Sequence, residues 1–239
     1  MSATPTPDAL LTLVALLLYA TTAVLTLRPG GAAVLPRGWL LAAVATHTVA
    51  LAQRWAWLGH GPFTTLHEVL SSTLWSLSLV FLLVAWRDRA LRAAFGLAVP
   101  VLGLMAAWLL VSDSRPGHLP PTYDTPLLYL HAVVGKAYLG LLLAATCVGL
   151  LPWWRRGRMA RADRLRCDHL AHRLAAAALV CDTLMLIVGA IWAQDAWGRW
   201  WAWDPLESWA FISWLALLTA LHARATLRPQ PQRHGWWLA

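Results

Sequence analysis

Charged residues are scarce in this sequence, and acidic residues are the scarcer of the two kinds. Only 13% of the 239 residues are charged, with 11 Asp and Glu against 19 Lys and Arg, whereas 59% are hydrophobic. This composition excludes a disordered chain and an ordinary soluble domain, and it is typical of a polytopic membrane protein. Because apolar runs take up almost the whole chain, we expect one membrane domain over residues 1–239.

Cysteine is also rare. None of the three cysteines belongs to a C-x-x-C pair, which excludes a thiol-redox motif. Residues 1–8 contain no basic residue and therefore lack the first region of a signal peptide. The first apolar run is expected to be a helix that the protein retains.

Seven apolar runs approach the length of about 20 residues that a helix needs to cross a bilayer. They lie at about residues 9–27, 39–58, 66–86, 93–111, 126–151, 173–194 and 208–226. The sequence therefore predicts an all-α, polytopic membrane protein with about seven transmembrane helices.

The basic residues predict the orientation of these helices. If the N-terminus is outside, 15 of the 19 basic residues lie at the inner ends of the runs; Arg54, Arg115 and Arg199 lie outside, and Lys136 lies within a run. Such an excess is typical of cytoplasmic loops, so we predict the N-terminus outside and the C-terminus inside. The net charge of +8 then reflects topology and the lipid bilayer, and nucleic acid is not expected as a partner.

The connection between the last two runs, at about residues 195–209, is the most unusual segment; we name it the tryptophan loop. It has five tryptophans within residues 197–209 and falls on the predicted outer face. Tryptophan favours the membrane interface because its ring is apolar and its N–H needs a polar partner. An aromatic surface of this density, however, suits a large, flat, partly polar ligand.

Two acidic residues of the tryptophan loop have an alternative interpretation. Asp204 and Pro205 fit an N-cap followed by proline at the first helical position, and Glu207 has the spacing of a capping box. Both carboxylates therefore have a structural function whether or not they contact a ligand. The candidate ligand-binding residues of the loop are Trp197, Gly198, Trp200, Trp201, Trp203, Asp204, Pro205, Glu207 and Trp209.

Four histidines are expected on the face that carries the tryptophan loop, and one of them, His118, lies in the outer loop before the fifth run. His131 lies about one turn into the fifth run, and His60 and His67 flank the outer start of the third. Because neutral imidazole is a good axial ligand for haem iron, His131 is the first candidate ligand, followed by His60 and His67. The alternative for each is an interfacial polar residue.

Other polar residues are predicted deep in the bilayer. His47 and His222 are transmembrane histidines that either bind a ligand or form hydrogen bonds between helices. Asp182 and Lys136 lie at a depth where ionisable side chains are costly and usually functional. The two are expected to pair across neighbouring helices, or Lys136 to meet a ligand carboxylate.

The residues of the tryptophan loop resemble a known signature. Trp197-Gly198-x-x-Trp201-x-Trp203-Asp204-Pro205-x-Glu207-x-Trp209 is similar to the WWD motif of the cytochrome c assembly proteins, which include CcsA/ResC-type, CcmC-type and HemX-type members. The resemblance extends over roughly residues 60–226: the segments 62–68, 126–137, 189–193 and 221–224 also resemble the CcsA-type pattern.

This resemblance implies a haem-handling protein of the cytoplasmic (inner) membrane. In the family, haem b binds at the loop between two outer histidines and is delivered to the C-x-x-C-H site of apocytochrome c, with a ResB/CcsB-type membrane partner. His131 corresponds to the first outer ligand, and His222 to a transmembrane histidine. The chain is then a component of a haem lyase or synthase complex.

The second axial ligand is not specified by the resemblance alone. The CcsA type has a further helix with the second outer histidine, and residues 232–239 resemble the approach to it. Either the sequence is shortened, or the ligand is expected from His60, His67, a partner chain or the acceptor protein. Two other functions stay open: a HemX-type regulator that contacts glutamyl-tRNA reductase through the basic loop at 152–170, and a transporter of another flat amphiphile.

Overall fold

The computed structural model describes residues 6–27, 35–155 and 158–227, and every regular element in these ranges is helical. The main elements are α1 (Ala9–Leu27), α2 (Leu35–Leu58), α3 (Leu66–Arg87), α4 (Arg89–Ala93), α5 (Phe95–Val111), α6 (Pro126–Trp154), α7 (Arg161–Trp197) and α8 (Pro205–Leu227). A single turn of 3-10 helix, Pro121–Tyr123, precedes α6. The predicted all-α fold is confirmed. Residues 232–239 lie outside the described ranges.

Seven of these helices coincide with the predicted apolar runs, and the largest difference is the start of α7. This helix begins at Arg161, about three turns before the predicted start at residue 173. The added turns are rich in Arg, Ala and Leu, which are good helix formers. They are also held by an ion pair of 3.1 Å between Arg166 Nη2 and Asp88 Oδ2, the residue that caps α4. Much of the predicted basic loop at 152–170 is therefore helix.

Five helices of the described chain are long and apolar enough to cross a membrane: α1, α3, α6, α7 and α8. Of the other two long helices, α5 is apolar but has 17 residues, and α2 has 24 residues that include Arg37 and Arg54. The 37 residues of α7 extend ~55 Å, well beyond the ~30 Å of a hydrocarbon core. The chain is a multi-pass integral membrane protein.

The chain divides into two compact units, of which the first comprises Met1–Trp86 and Phe95–Pro120. Within it, α1 packs against both α2 and α5. The close approach of α1 and α5 depends on Gly103, where an added Cβ would lie 3.0 Å from the Ala23 Cβ. The single membrane domain expected from composition stays a prediction.

The interior of the first unit contains a network of charged side chains. Arg54 is 1% exposed; its Nη2 donates to Glu68 Oε1 at 2.9 Å and to the Ser114 carbonyl at 3.1 Å. Its Nη1 lies 3.5 Å from Asp8 Oδ2. The other Glu68 oxygen, Oε2, accepts from the Thr64 N–H and hydroxyl. A guanidinium that was expected near the outer surface thus joins the start of α1, the helices α2 and α3, and the segment after α5.

The second unit comprises Arg87–Ala94 and Pro121–Ala239, and α6 and α7 are its centre. These two helices pack closely at Gly135, where an added Cβ would lie 2.8 Å from the Met185 Sδ. The third helix, α8, packs on α7, and Trp214 Nε1 donates to Thr183 Oγ1 at 2.8 Å. The tryptophan loop connects α7 to α8, so its two ends are fixed by this packing.

Candidate ligand-binding site at the tryptophan loop

The tryptophan loop begins where α7 ends. Gly198 follows the last helical residue, Trp197, with φ of 69°, and its N–H donates to the Gln194 carbonyl at 2.9 Å. Glycine adopts this left-handed conformation at little cost, and it is the usual residue just beyond a helix C-terminus. Gly198 therefore turns the chain out of α7 and sets the direction of the loop.

The loop ends at a capped helix N-terminus, as the sequence predicts. The Asp204 side chain accepts from the Glu207 N–H at 2.9 Å, and Pro205 is the first residue of α8. In a capping box the glutamate would accept from the N–H of the capping residue itself. Here Glu207 Oε2 instead accepts from the two preceding N–H groups, those of Ala202 at 2.6 Å and Trp203 at 2.8 Å.

Trp203 has a strained backbone. Its φ is 59°, and it is the one non-glycine residue with positive φ in the described part of the chain. A bulky side chain rarely adopts this region, because its Cβ crowds the following carbonyl. The two bonds to Glu207 and the rigid start of α8 hold the residue there. Strain of this kind concentrates at functional sites.

The aromatic rings of the loop form a cluster with the first turns of α8. Trp201 and Trp203 meet edge to face with ring centroids 5.7 Å apart, and Phe211 lies 6.2 and 6.1 Å from them. Phe211 also stacks on Trp214, with centroids 5.9 Å apart and an interplanar angle of 12°. The exposed rings of the segment are those of Trp197, Trp200, Trp203 and Trp209. The result is a broad apolar aromatic surface.

Trp201 contributes a polar group to this cluster. Its Nε1 is buried and has no hydrogen-bond partner in the described part of the chain. A buried indole N–H normally finds an acceptor, because leaving it unpaired costs free energy. An acceptor on a ligand, such as a carboxylate, would satisfy it.

His131 on α6 is held against α7. Its Nδ1 lies 3.0 Å from the carbonyl oxygen of Met185. The ring occupies space that exists because residue 189 is glycine: a Cβ there would lie 2.8 Å from Nδ1 and 2.9 Å from Cε1. Since a carbonyl can only accept, Nδ1 must carry the proton, and the lone pair is on Nε2. This is the tautomer of a histidine that ligates through Nε2.

Aromatic contacts connect His131 to the tryptophan loop. The ring of Trp192 lies 6.2 Å from that of His131 and 4.8 Å from that of Trp197. Trp192 is itself fixed, because its Nε1 donates to the Thr122 carbonyl at 2.9 Å and Tyr123 packs edge to face at 5.3 Å. The structure thus brings His131 and the start of the loop together around one indole.

The other candidate histidines belong to different environments. His60 and His67 are buried in the first unit, with Nδ1 2.9 Å from the Gly61 carbonyl and from Ser112 Oγ, respectively. His47 is fully buried there, and both its ring nitrogens lie near hydroxyl groups of neighbouring helices. His222 lies in the second unit on α8 and is exposed.

The expected ion pair between Asp182 and Lys136 does not form. Both carboxyl oxygens of Asp182 are buried without a hydrogen-bond partner in the described ranges. The side chain is instead enclosed where α6, α7 and α8 pack. A ligand carboxylate beside Lys136 stays a prediction.

The residues of the second unit fit a haem better than a bare metal ion. Within the described ranges, no three His, Cys, Asp or Glu side chains are grouped so that they could hold a metal ion. A haem brings its own nitrogen ligands to iron and needs only axial ligands and an apolar, aromatic surface from the protein. His131 has an unprotonated ring nitrogen that could ligate iron, and the tryptophan loop has an aromatic surface that could cover a macrocycle.

Sequence reasoning missed two contributors to this region. Phe211 joins the tryptophan cluster from the second turn of α8, and Gly189 makes room for the imidazole of His131. An aromatic residue in the second turn of the helix that follows the loop is a weak signal for the first. No local pattern marks the second, because the contact joins two helices.

Comparisons with known proteins point in the same direction. The family model described as Cytochrome C assembly protein matches residues 63–239. The cytochrome c biogenesis protein CcsA of Prochlorococcus marinus (strain MIT 9312) is 29% identical over 219 residues, covering 78% of this chain and 71% of that protein. CcsA of Prochlorococcus marinus subsp. pastoris (strain CCMP1986 / NIES-2087 / MED4) is 31% identical, covering 77% and 68%. CcsA of Synechococcus sp. (strain RCC307) is 27% identical, covering 82% and 75%.

Proposed function

This chain belongs to the CcsA-type cytochrome c assembly protein family, and we propose that it binds haem b at the outer membrane face and presents it for attachment to apocytochrome c. Membership of the family supports a role in cytochrome c assembly. The observation that carries the haem proposal is the contact of His131, through Trp192, with the tryptophan loop. A ligand nitrogen and a large aromatic surface are thereby adjacent.

The residues have separate tasks in this proposal. His131 would hold the iron through Nε2, because the Met185 carbonyl accepts its Nδ1 proton and fixes the plane of the ring. The indole rings of the loop would cover the macrocycle, and the Trp201 N–H, which has no hydrogen-bond partner in the described part of the chain, would donate to a carboxylate of the ligand. Haem supplies the iron chemistry. Glu207 and Asp204 hold the loop in the conformation that presents the rings.

The proposed topology has seven crossings, with the N-terminus outside and the C-terminus inside. The buried ion pair of Arg54 with Glu68 supports α2 as a span, because the guanidinium then need not face lipid. The 17 residues of α5 extend ~26 Å, close to the thickness of the hydrocarbon core. The distribution of arginines supports a position of the tryptophan loop on the outer side of the cytoplasmic membrane.

Haem presentation also needs groups beyond the second unit. A second ligand for the iron would come from His60, His67, a partner chain or the acceptor protein. In both histidines Nδ1 faces an acceptor, which leaves the lone pair on Nε2. Attachment to the C-x-x-C-H cysteines of apocytochrome c requires reduced thiols, and this chain has no C-x-x-C pair to maintain them. Partners that supply reduced thiols are therefore implied, and the resemblance to the CcsA type adds a ResB/CcsB-type membrane protein to the proposed complex.

Absorption and resonance Raman spectra of the purified protein test this proposal. We expect b-type haem in substoichiometric amounts, and a Soret band that is shifted or lost in His131→Ala. The matched control is His169→Ala, because His169 is exposed in the early turns of α7, far along the helix from the loop. A His131→Ala protein with unchanged spectrum and haem content would show that this histidine is not a ligand.

Two substitutions of Trp201 distinguish the contribution of its aromatic ring to haem binding from that of its N–H. Trp201→Phe keeps an aromatic ring but removes the donor, and Trp201→Ala removes both. We expect a moderate loss of haem in the first and a larger loss in the second, with membrane insertion unchanged. Full haem retention in both would mean that the loop is only an interfacial anchor.

A further inference from the structure

Asp182 is a buried ionisable side chain of the second unit whose carboxyl oxygens have no hydrogen-bond partner within the described ranges. It lies within α7 and is 0% exposed. At ~1.5 Å per residue it is ~22 Å along the helix from Trp197 and ~13 Å from Arg173, so neither end of the apolar part of α7 is near. Its carboxyl group is therefore enclosed by protein at the depth of the hydrocarbon core.

No neighbouring group compensates a charge on this carboxylate. Both of its oxygens lack a hydrogen-bond partner in the described part of the chain. The titratable groups that its charge would influence are Tyr138 on α6 and Cys181 beside it on α7. Both are ordinarily neutral at neutral pH. Lys136 on α6 makes no ion pair with it.

The other helices that pack on α7 keep their charged groups away from Asp182. On α8, Glu207 is in the first turn and Arg224 in the last, where it pairs with Asp168. On α4, Asp88 pairs with Arg166 in the early turns of α7. Near Asp182, α8 presents Trp214, which donates to the hydroxyl of Thr183.

We propose that Asp182 is a proton-binding site in the interior of the second unit, which holds one proton at neutral pH. An ionised carboxylate here would be a full charge without a counter-ion, whereas the neutral acid leaves only dipoles unpaired. Because the side chain is fully buried, its proton exchanges only when α6, α7 and α8 separate enough to admit water. The site is independent of haem binding, since it involves none of the proposed haem contacts.

Infrared spectroscopy of the purified protein tests the inference directly. The wild type should show a carbonyl band of a protonated carboxyl group that exchanges slowly in heavy water, and Asp182→Asn should lose it. Asp113→Asn is the matched control, because Asp113 is exposed and Arg115 holds its pKa below the ordinary range. That substitution should remove no slowly exchanging band. A band that persists in Asp182→Asn would overturn the proposal.

Melting temperatures provide the second measurement. Asparagine has the shape of the neutral acid, so Asp182→Asn should fold and melt at the wild-type temperature, and Asp182→Leu should melt at the same or a higher temperature. Failure of Asp182→Asn to fold would contradict the proposal, because it would mean that the charge is needed. Restoration by Lys136→Met in that background would identify an ion pair as the correct alternative.

Discussion

Replacing Glu207 by alanine should release the backbone of the tryptophan loop. Its Oε2 accepts two N–H groups, at 2.6 Å from Ala202 and 2.8 Å from Trp203. A hydrogen bond to a charged group contributes about 1.5–3 kcal/mol, and the partial exposure of this pair favours the lower limit, or about 3 kcal/mol for both. The left-handed conformation of Trp203 costs about 1–2 kcal/mol. The two bonds therefore outweigh the strain, and without them Trp203 should return to negative φ.

The haem dissociation constant measures this release. If most of the lost free energy appears in binding, Glu207→Ala should weaken haem affinity by about 10- to 100-fold, since each 1.4 kcal/mol is a factor of ten. Glu207→Gln keeps an acceptor but loses the charge, and neutral hydrogen bonds are about half as strong. We therefore expect an intermediate affinity for that variant.

Asp204→Ala is the matched control for this prediction. Asp204 caps α8 by accepting the Glu207 N–H, and its loss costs helix stability of about 1 kcal/mol without removing the bonds to Ala202 and Trp203. Affinity should fall less in Asp204→Ala than in Glu207→Ala. Equal losses of affinity would indicate that haem binding depends on the stability of the start of α8 and not on the bonds of Glu207 to Ala202 and Trp203. Wild-type affinity in Glu207→Ala would refute the reasoning altogether.

Two further predictions concern His131 and the charged interior of the first unit. Gly189→Ala places a Cβ 2.8 Å from His131 Nδ1, so it should displace the ring and lower haem content, whereas Gly96→Ala, with open space around it, should not. Arg54→Ala leaves two buried carboxylates unpaired and should lower the free energy of unfolding by about 3–5 kcal/mol in denaturant titrations. Arg115→Ala, at an exposed ion pair, should leave the unfolding midpoint unchanged.

The positions of the helices could be predicted from hydropathy. An apolar run long enough to cross the bilayer must form its backbone hydrogen bonds within itself, and a helix does so. The start of α7 could not be predicted in this way, since a segment such as Arg161–Arg173 has the composition of a loop when only hydropathy is considered. Its helical state depends on intrinsic propensity and on the pairing of Arg166 with Asp88, a residue distant in sequence. The capping of α8 was predictable because Asp204, Pro205 and Glu207 are local signals.

The charged interior of the first unit shows what sequence reasoning misses. Arg54 lies near the end of an apolar run, where an arginine is usually solvated, and nothing local identifies Glu68 as its partner. The pair becomes visible only when α2 and α3 are placed side by side. The prediction that Asp182 pairs with Lys136 was wrong. Two opposite charges at similar depth in neighbouring helices need not face each other, and the sequence does not show which way they point.

The histidines can be ranked by what their ring nitrogens already bind. His47 has Ser71 Oγ 2.8 Å from Nε2 and the Tyr19 hydroxyl 3.4 Å from Nδ1, so ligation would require it to give up a hydrogen bond between helices. His67 differs, because Ser112 donates its only proton to the Leu109 carbonyl and must therefore accept from Nδ1. His131 has the same arrangement with a backbone carbonyl as acceptor. Depth in the membrane already distinguished His131, near the tryptophan loop, from His47, near the middle of α2. The hydrogen bonds add that His47 forms a contact between helices, whereas His131 carries its lone pair on Nε2.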